Sequence, residues 1–281
     1  MASTLDNVSR TREQPANGSR STGEPLLSVE HVRLGYWTPA GFNLAVGDVS
    51  FEVQRRERII VIGPSGCGKS TLLKAIAGFI SPAGGEISVA GRTAPPPGPD
   101  RAVVFQEFDQ LFAWRTVLDN VAYPLRVNRR RRADATASAR QFLELTGLGH
   151  AADRYPHQLS GGMKQRVAIA RALALEPAIL LMDEPFGSLD ALTRARLQGE
   201  LNAILDRTHT TLLFVTHSID EALVLGDRVV VLGNAPSTVQ ELVDVRDVGA
   251  PDSAAYADMR RRLRRLLANK GEEVDENAVF V

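Results

Sequence analysis

A single cysteine, Cys67, stands among 281 residues, so no intrachain disulfide can form and an oxidised, disulfide-stapled scaffold is excluded. A surplus of one charge sign is also lacking, because 33 Lys and Arg balance 33 Asp and Glu. That removes the basic excess expected of a nucleic-acid binder and any wholesale attraction to anionic lipid. No run reaches the about 18 apolar residues needed to cross a bilayer, and the longest uncharged stretches, such as 34–47, are broken by Pro and Gly. Residues 1–25 lack the apolar core of a secretory signal. Their only large aliphatic side chains are Leu5 and Val8, too few to offset the entropy of ordering the segment. A disordered tail on an intracellular chain is expected.

Hydrophobic residues, 44% of the chain, suffice for a sizeable core. β-rich runs at 26–36 and 43–53 lead to the wholly apolar 59–62, which suits a strand covered on both faces. From about 107 to 174 the pattern is mainly helical, including 117–125 and the Ala-rich 133–146, which ends at Gly147. Strand patterns return at 178–182, 211–215 and 228–232, alternating with helical ones such as 191–208, where Leu197, Leu201, Ile204 and Leu205 share a face. Strands alternating with helices imply a largely parallel sheet, here split by a helical insertion. A separate C-terminal piece, 249–281, carries Met259, Leu263, Leu266 and Leu267 at helical spacing among five arginines, then the acidic Glu272, Glu273, Asp275 and Glu276. It reads as an amphipathic helix docked on the core, with contact to a partner or membrane surface as the alternative.

Two motifs carry phosphate chemistry. Gly63-Pro64-Ser65-Gly66-Cys67-Gly68-Lys69-Ser70-Thr71 follows the 59–62 strand and precedes an apolar helix expected over 72–80. The glycines let backbone N–H groups turn inward around phosphate oxygens at a helix N-terminus. Lys69 suits the β- and γ-phosphates and Ser70 suits Mg²⁺, while Cys67 reads as a small packing residue. In the second motif, 179–185, four apolar residues precede Asp183 and Glu184 at the edge where open α/β sheets bind ligands. Asp183 would hold Mg²⁺ and Glu184 would polarise the attacking water. Together these residues indicate a nucleotide hydrolase.

Leu159-Ser160-Gly161-Gly162-Met163-Lys164-Gln165-Arg166 is more specific. A Ser-Gly-Gly turn opening a helix offers a hydroxyl and bare N–H groups to an anion. It resembles the signature of the ATP-binding-cassette ATPases, and the resemblance runs over roughly residues 27–245. It implies a P-loop NTPase core of class α/β with a mainly parallel central sheet, an N-terminal antiparallel β subdomain and an inserted α-helical subdomain, all within 26–248. It also implies an ATP-dependent head-to-tail homodimer, in which Ser160, Gly161, Gly162 and Gln165 close on the ATP of the other subunit.

Further residues follow from the same resemblance. Gln106, after Val103-Val104-Phe105, approaches Mg²⁺ and the attacking water. Asp190, in Ser188-Leu189-Asp190, communicates across the dimer and also suits a helix N-cap. His217, in Val215-Thr216-His217-Ser218, contacts the γ-phosphate. Tyr36 matches the adenine-stacking aromatic, with Trp37 as competitor. Arg56-Glu57 stands where relatives have Gly-Glu, a poor fit if that turn needs a positive φ.

The stretch through 111–121 is similar to the ATPase subunits of nitrate, sulfonate and taurine importers, although Ala113 replaces their Pro and Glu107-Phe108-Asp109 departs from their pattern. In that group this region grips a cytoplasmic helix of the permease. An ATP-hydrolysing import subunit at the cytoplasmic face of the membrane is therefore expected, with separate integral membrane permease chains and an extracytoplasmic solute-binding protein, and without nucleic acid. An exporter subunit shares the core motifs and stays open. A soluble cassette ATPase fits less well: the chain has one phosphate loop, and Gln106 and Ser160 are only 54 positions apart, leaving no room for a long coiled coil. A regulatory module that holds ATP without turnover conflicts with the presence of Glu184 and His217.

Overall fold

The computed structural model describes residues 23–39, 41–106 and 110–268. An antiparallel hairpin of β1 (Leu27–Thr38) and β2 (Gly41–Val53) opens the fold, and β3 (Arg58–Ile62) runs into α1 (Lys69–Ile76). β4 (Gly84–Val89) and the short β5 (Arg92–Thr93) extend the antiparallel edge beside β1. β6 (Arg101–Val104) precedes three helices, α2 (Val117–Val127), α3 (Arg132–Leu145) and α4 (Gly161–Leu173). The chain continues through β7 (Ile179–Asp183), α5 (Ala191–Thr208), β8 (Thr211–Thr216), α6 (Ile219–Leu225), β9 (Arg228–Leu232), β10 (Ser237–Asp244) and α7 (Ala254–Leu267).

The strands form one sheet in the order β5-β4-β1-β2-β10-β9-β3-β8-β7-β6. Strands β9, β3, β8, β7 and β6 are parallel, whereas β10 is antiparallel to β9 and parallel to β2. This is the mainly parallel core with an antiparallel N-terminal part that the sequence implies. Helices cover the parallel strands, so successive residues of one strand enter different cores: Ile60 and Ile62 join one cluster, Ile59 and Val61 the other. Such double burial explains the unbroken apolar run at 59–62.

Helix starts follow their capping residues. Thr116, Ser160, Asp190, Ser218 and Ser253 each accept a backbone N–H in the first turn of α2, α4, α5, α6 and α7. By contrast α1 follows Gly68, which offers no side-chain cap. It stops at Ile76, short of the 80 expected, because Gly78 turns at φ +84 with no room for a Cβ beside Pro95 O.

The C-terminal helix docks on α6 and β9. Leu263 is fully buried, with Met259, Leu266 and Leu267 packed around it. Three of its arginines are ion-paired, Arg260 to Asp220, Arg261 to Asp258 and Arg262 to Glu241. Residues 1–22 of the tail expected over 1–25, the acidic run at 272–276 and Glu107-Phe108-Asp109 lie outside the described residues.

Candidate nucleotide site

Four motifs converge because four neighbouring strands end together. The parallel register sets Ile62 beside Thr216, Val215 beside Asp183 and Met182 beside Val104. The glycine-rich turn, His217, the acid pair and Gln106 therefore leave the C-terminal edge of β3, β8, β7 and β6, where doubly wound sheets carry their ligands.

Within the glycine-rich turn, Gly68 adopts φ +97, and a Cβ there would meet Val46 Cγ2 at 2.8 Å. Gly63 is equally crowded, with Cys67 Sγ 2.7 Å from the same notional atom. The thiol is thus a buried packing group, and burial pushes its pKa up. Lys69 is buried and turned back, its Nζ donating to Gly63 O at 2.9 Å and Pro64 O at 3.0 Å. Ser70 Oγ donates to Asp183 Oδ1 at 2.9 Å. Burial raises the Asp183 carboxyl above its usual range, against the Ser70 hydrogen bond.

Next to it, Glu184 takes φ 42, a left-handed conformation that costs a non-glycine residue on the order of 1–3 kcal/mol. Its N–H donates to Val215 O at 2.9 Å, tying β7 to β8 at their ends. Its Oε2 lies 2.9 Å from His217 Nδ1. Gln106 is exposed, and its Nε2 lies 3.4 Å from the notional Cβ of Gly187, in the turn closed by Gly187 N–H on Glu184 O. The five side chains Lys69, Ser70, Asp183, Glu184 and His217, with Gln106 at the rim, make one polar edge.

The Ser-Gly-Gly turn stands apart, with no hydrogen bond to the glycine-rich turn among the described residues. Ser160 is exposed and its Oγ accepts from Met163 N–H at 3.4 Å. A Cβ on Gly162 would lie 3.1 Å from Thr193 Cγ2, so this turn rests against the start of α5. There Asp190 Oδ1 accepts the Thr193 N–H at 2.9 Å, which holds its carboxyl below the usual range.

Gln165 requires a correction. It is 0% exposed, and among the described residues neither its Oε1 nor its Nε2 has a partner. Five residues beyond the cap, it shares the inward face of α4 with Ala168, Ile169 and Ala172. It does not join Ser160, Gly161 and Gly162 at the surface.

Tyr36 and Trp37 are consecutive on β1 and so project to opposite faces. Tyr36 pairs across the hairpin with Asn43, and its OH accepts from Asn43 Nδ2 at 2.9 Å. Trp37 is 81% exposed and stacks edge-on against Phe42. Tyr36 is exposed as well, at 55%. Arg56 does sit at φ 66, the strained turn that its replacement of Gly implied.

Sequence reasoning missed an apolar groove of about 310 Å³ beside this edge. Phe79, Phe105, Phe112, Tyr123 and Arg171 line it, and the Arg171 guanidinium lies 5.9 Å from the Phe112 ring. Phe79 reads in sequence as the end of a core helix, and only the Gly78 turn sends it outward.

The family model for ABC transporters matches residues 46–187. The nitrate import ATP-binding protein NrtC of Synechococcus elongatus is 45% identical over 253 residues, covering 86% of this chain but 38% of that protein. The taurine import ATP-binding protein TauB of Rhizobium johnstonii is 44% identical over 255 residues, covering 86% of this chain and 96% of that one. Among solved structures, a dimeric ATP-binding cassette in a post-hydrolysis state with ADP and Pi aligns at 30% identity and TM-score 0.69, over 78% of this chain and 99% of that one. With the glycine-rich turn and the acid pair at one sheet edge and the Ser-Gly-Gly turn opening α4, the chain belongs to the ABC transporter family and is an ATPase of its cassette type.

Proposed function

We propose that this chain is the ATP-hydrolysing subunit of an importer for small anionic or zwitterionic solutes of the nitrate, sulfonate and taurine kind. One observation carries the hydrolytic reading: Ser70–Asp183 and Glu184–His217 form two bonded pairs at adjoining strand ends, directly after Lys69. A hydroxyl and a carboxylate are the hard oxygen donors that suit Mg²⁺. Ser70 and Asp183 would hold that ion, with Gln106 near it, and the ion would neutralise phosphate charge.

Catalysis by the chain's own groups is positioning plus charge neutralisation. Lys69, now bonded to two carbonyls of the loop, exchanges them for phosphate oxygens. Glu184 accepts hydrogen from the attacking water and orients it. His217 fixes that carboxylate through Nδ1 and reaches the γ-phosphate, while Tyr36 stacks on adenine. Ser160, Gly161 and Gly162 of a second copy, arranged head to tail, complete the phosphate site, and Asp190 lies at the same contact.

The groove of Phe79, Phe105, Phe112, Tyr123 and Arg171 receives a helix of a separate permease at the cytoplasmic face of the membrane, and a solute-binding protein delivers cargo outside. Glu184→Gln tests the assignment. ATP binding is expected to persist, hydrolysis to fall by about 10²–10⁴-fold, and an ATP-bound dimer to accumulate on size-exclusion chromatography. Full Mg-ATP turnover in that variant removes Glu184 from its role. Uptake of nitrate or taurine by proteoliposomes containing the full complex tests the solute class.

A further inference from the structure

Two acids occupy the first turn of α6, and they face opposite ways. Asp220 turns outward to Tyr256 OH and Arg260. Glu221 turns inward and is 4% exposed. Neither capping nor the helix dipole needs a buried carboxyl here, since Ser218 already caps the helix and Asp220 already supplies first-turn negative charge. Burying Glu221 has a solvation cost, and burial holds its pKa above the usual carboxylate range.

Its contacts are specific. Glu221 Oε2 accepts the Thr216 hydroxyl at 2.5 Å, and Oε1 accepts Gln198 Nε2 at 3.3 Å. Thr216 is the last residue of β8, immediately before His217, and its Oγ1 also accepts the Ser218 N–H at 3.0 Å. The threonine hydroxyl is therefore committed on both sides, clamping the backbone around His217. Gln198 belongs to α5, whose Arg194 donates to Leu189 O in the Ser188–Asp190 turn at 3.0 Å.

We propose that Glu221 is a positioning residue: through Thr216 it holds His217 against Glu184, and through Gln198 it registers that pair to α5 and the Ser188–Asp190 turn. The inference rests on the hydrolytic reading given above. It assigns the link between the γ-phosphate switch and the dimer-contact turn to one buried carboxyl.

Steady-state Mg-ATP hydrolysis by the full chain tests it, with Glu221→Ala, Thr216→Val and Thr216→Ser measured beside wild type. In Glu221→Ala and Thr216→Val, kcat is expected to fall by about 10–10²-fold, the scale of a misplaced catalytic group. KM for ATP should stay within about threefold, because the phosphate loop is untouched. Thr216→Ser, which keeps the hydroxyl, should recover most of the rate, and the His217 ring resonances should move in Thr216→Val but not in Thr216→Ser. If Glu221→Ala does not fold, the near-isosteric Thr216→Val carries the test. Unchanged kcat in folded Thr216→Val, or lowered Tm with kcat intact, overturns the proposal. Absence of hydrolysis by wild type overturns the hydrolytic reading instead, so the two failures are distinguishable.

Discussion

Asp183 carries opposed demands. It is buried, its carboxyl bonded among the described residues to Ser70, and desolvation lifts its pKa from its ordinary 3.8. The folded state therefore binds this proton more tightly than the unfolded chain, and its contribution to stability falls as pH rises from 3.8 through the raised value. Asp183→Asn should stabilise the nucleotide-free protein by roughly 1 kcal/mol at neutral pH, within the range typical of relieved functional strain, and flatten that part of the Tm–pH curve. The same variant should lose hydrolysis and the Tm increase given by Mg-ATP, both readable by calorimetry and phosphate release. The carboxyl's place at the sheet edge was legible because an unbroken apolar strand ends in paired acids; such acids can also serve a helix N-terminus, and only the glycine-rich turn elsewhere in the sequence pointed to phosphate chemistry. Gln165 was misread at the same scale. Its spacing to Ala168, Ile169 and Ala172 places it on the buried face of α4, and that helical phase outweighs its nearness in sequence to Ser160. Glu184's left-handed φ, like the inward turn of Glu221, follows from tertiary contacts that no local pattern records.

At the scale of elements, long and strongly patterned segments were readable and short ones were not. The continuous apolar runs became β3, β7, β8 and β9, and the 191–208 periodicity became α5 with the same bounds. β4, β6, β10 and α6 gave no comparable signal. β10 is half-buried with a bulged register against β9, and α6 is only seven residues long. Tertiary pairing, not propensity, decides such segments. The C-terminal helix α7 is anchored by Leu263, its one fully buried aliphatic residue, beside the buried Tyr256. Leu263→Ala should cost about 2–5 kcal/mol by leaving a cavity under the helix. Hydrogen exchange should then show faster opening of α7 and of α6, which is joined to it by Tyr256 and Arg260 at Asp220. Raised by burial and by the Asp220 carboxylate to about 12, the Tyr256 phenol stays a hydrogen donor throughout the ordinary pH range.

For the molecule as a whole, the even charge balance conceals local asymmetry, with Arg129 to Arg132 in one cluster and the arginines of α7 in another. What matters more is the separation of the glycine-rich turn from the Ser160 turn, because in the proposed head-to-tail dimer each copy would supply only one of the two turns to a given phosphate. ATPase activity per subunit should therefore rise with protein concentration in dilute solution and level off as ATP-bound dimers form, followed by light scattering in parallel. Specific activity that stays flat into the monomeric range would show that one copy suffices. The sheet order adds a constraint of its own. With β8 between β3 and β7, the strands that lead into the glycine-rich turn and into Glu184 lie two strand spacings apart, about 10 Å. That interval is ruled by backbone hydrogen bonds, so side-chain replacements in the core can loosen the site but cannot recalibrate its span.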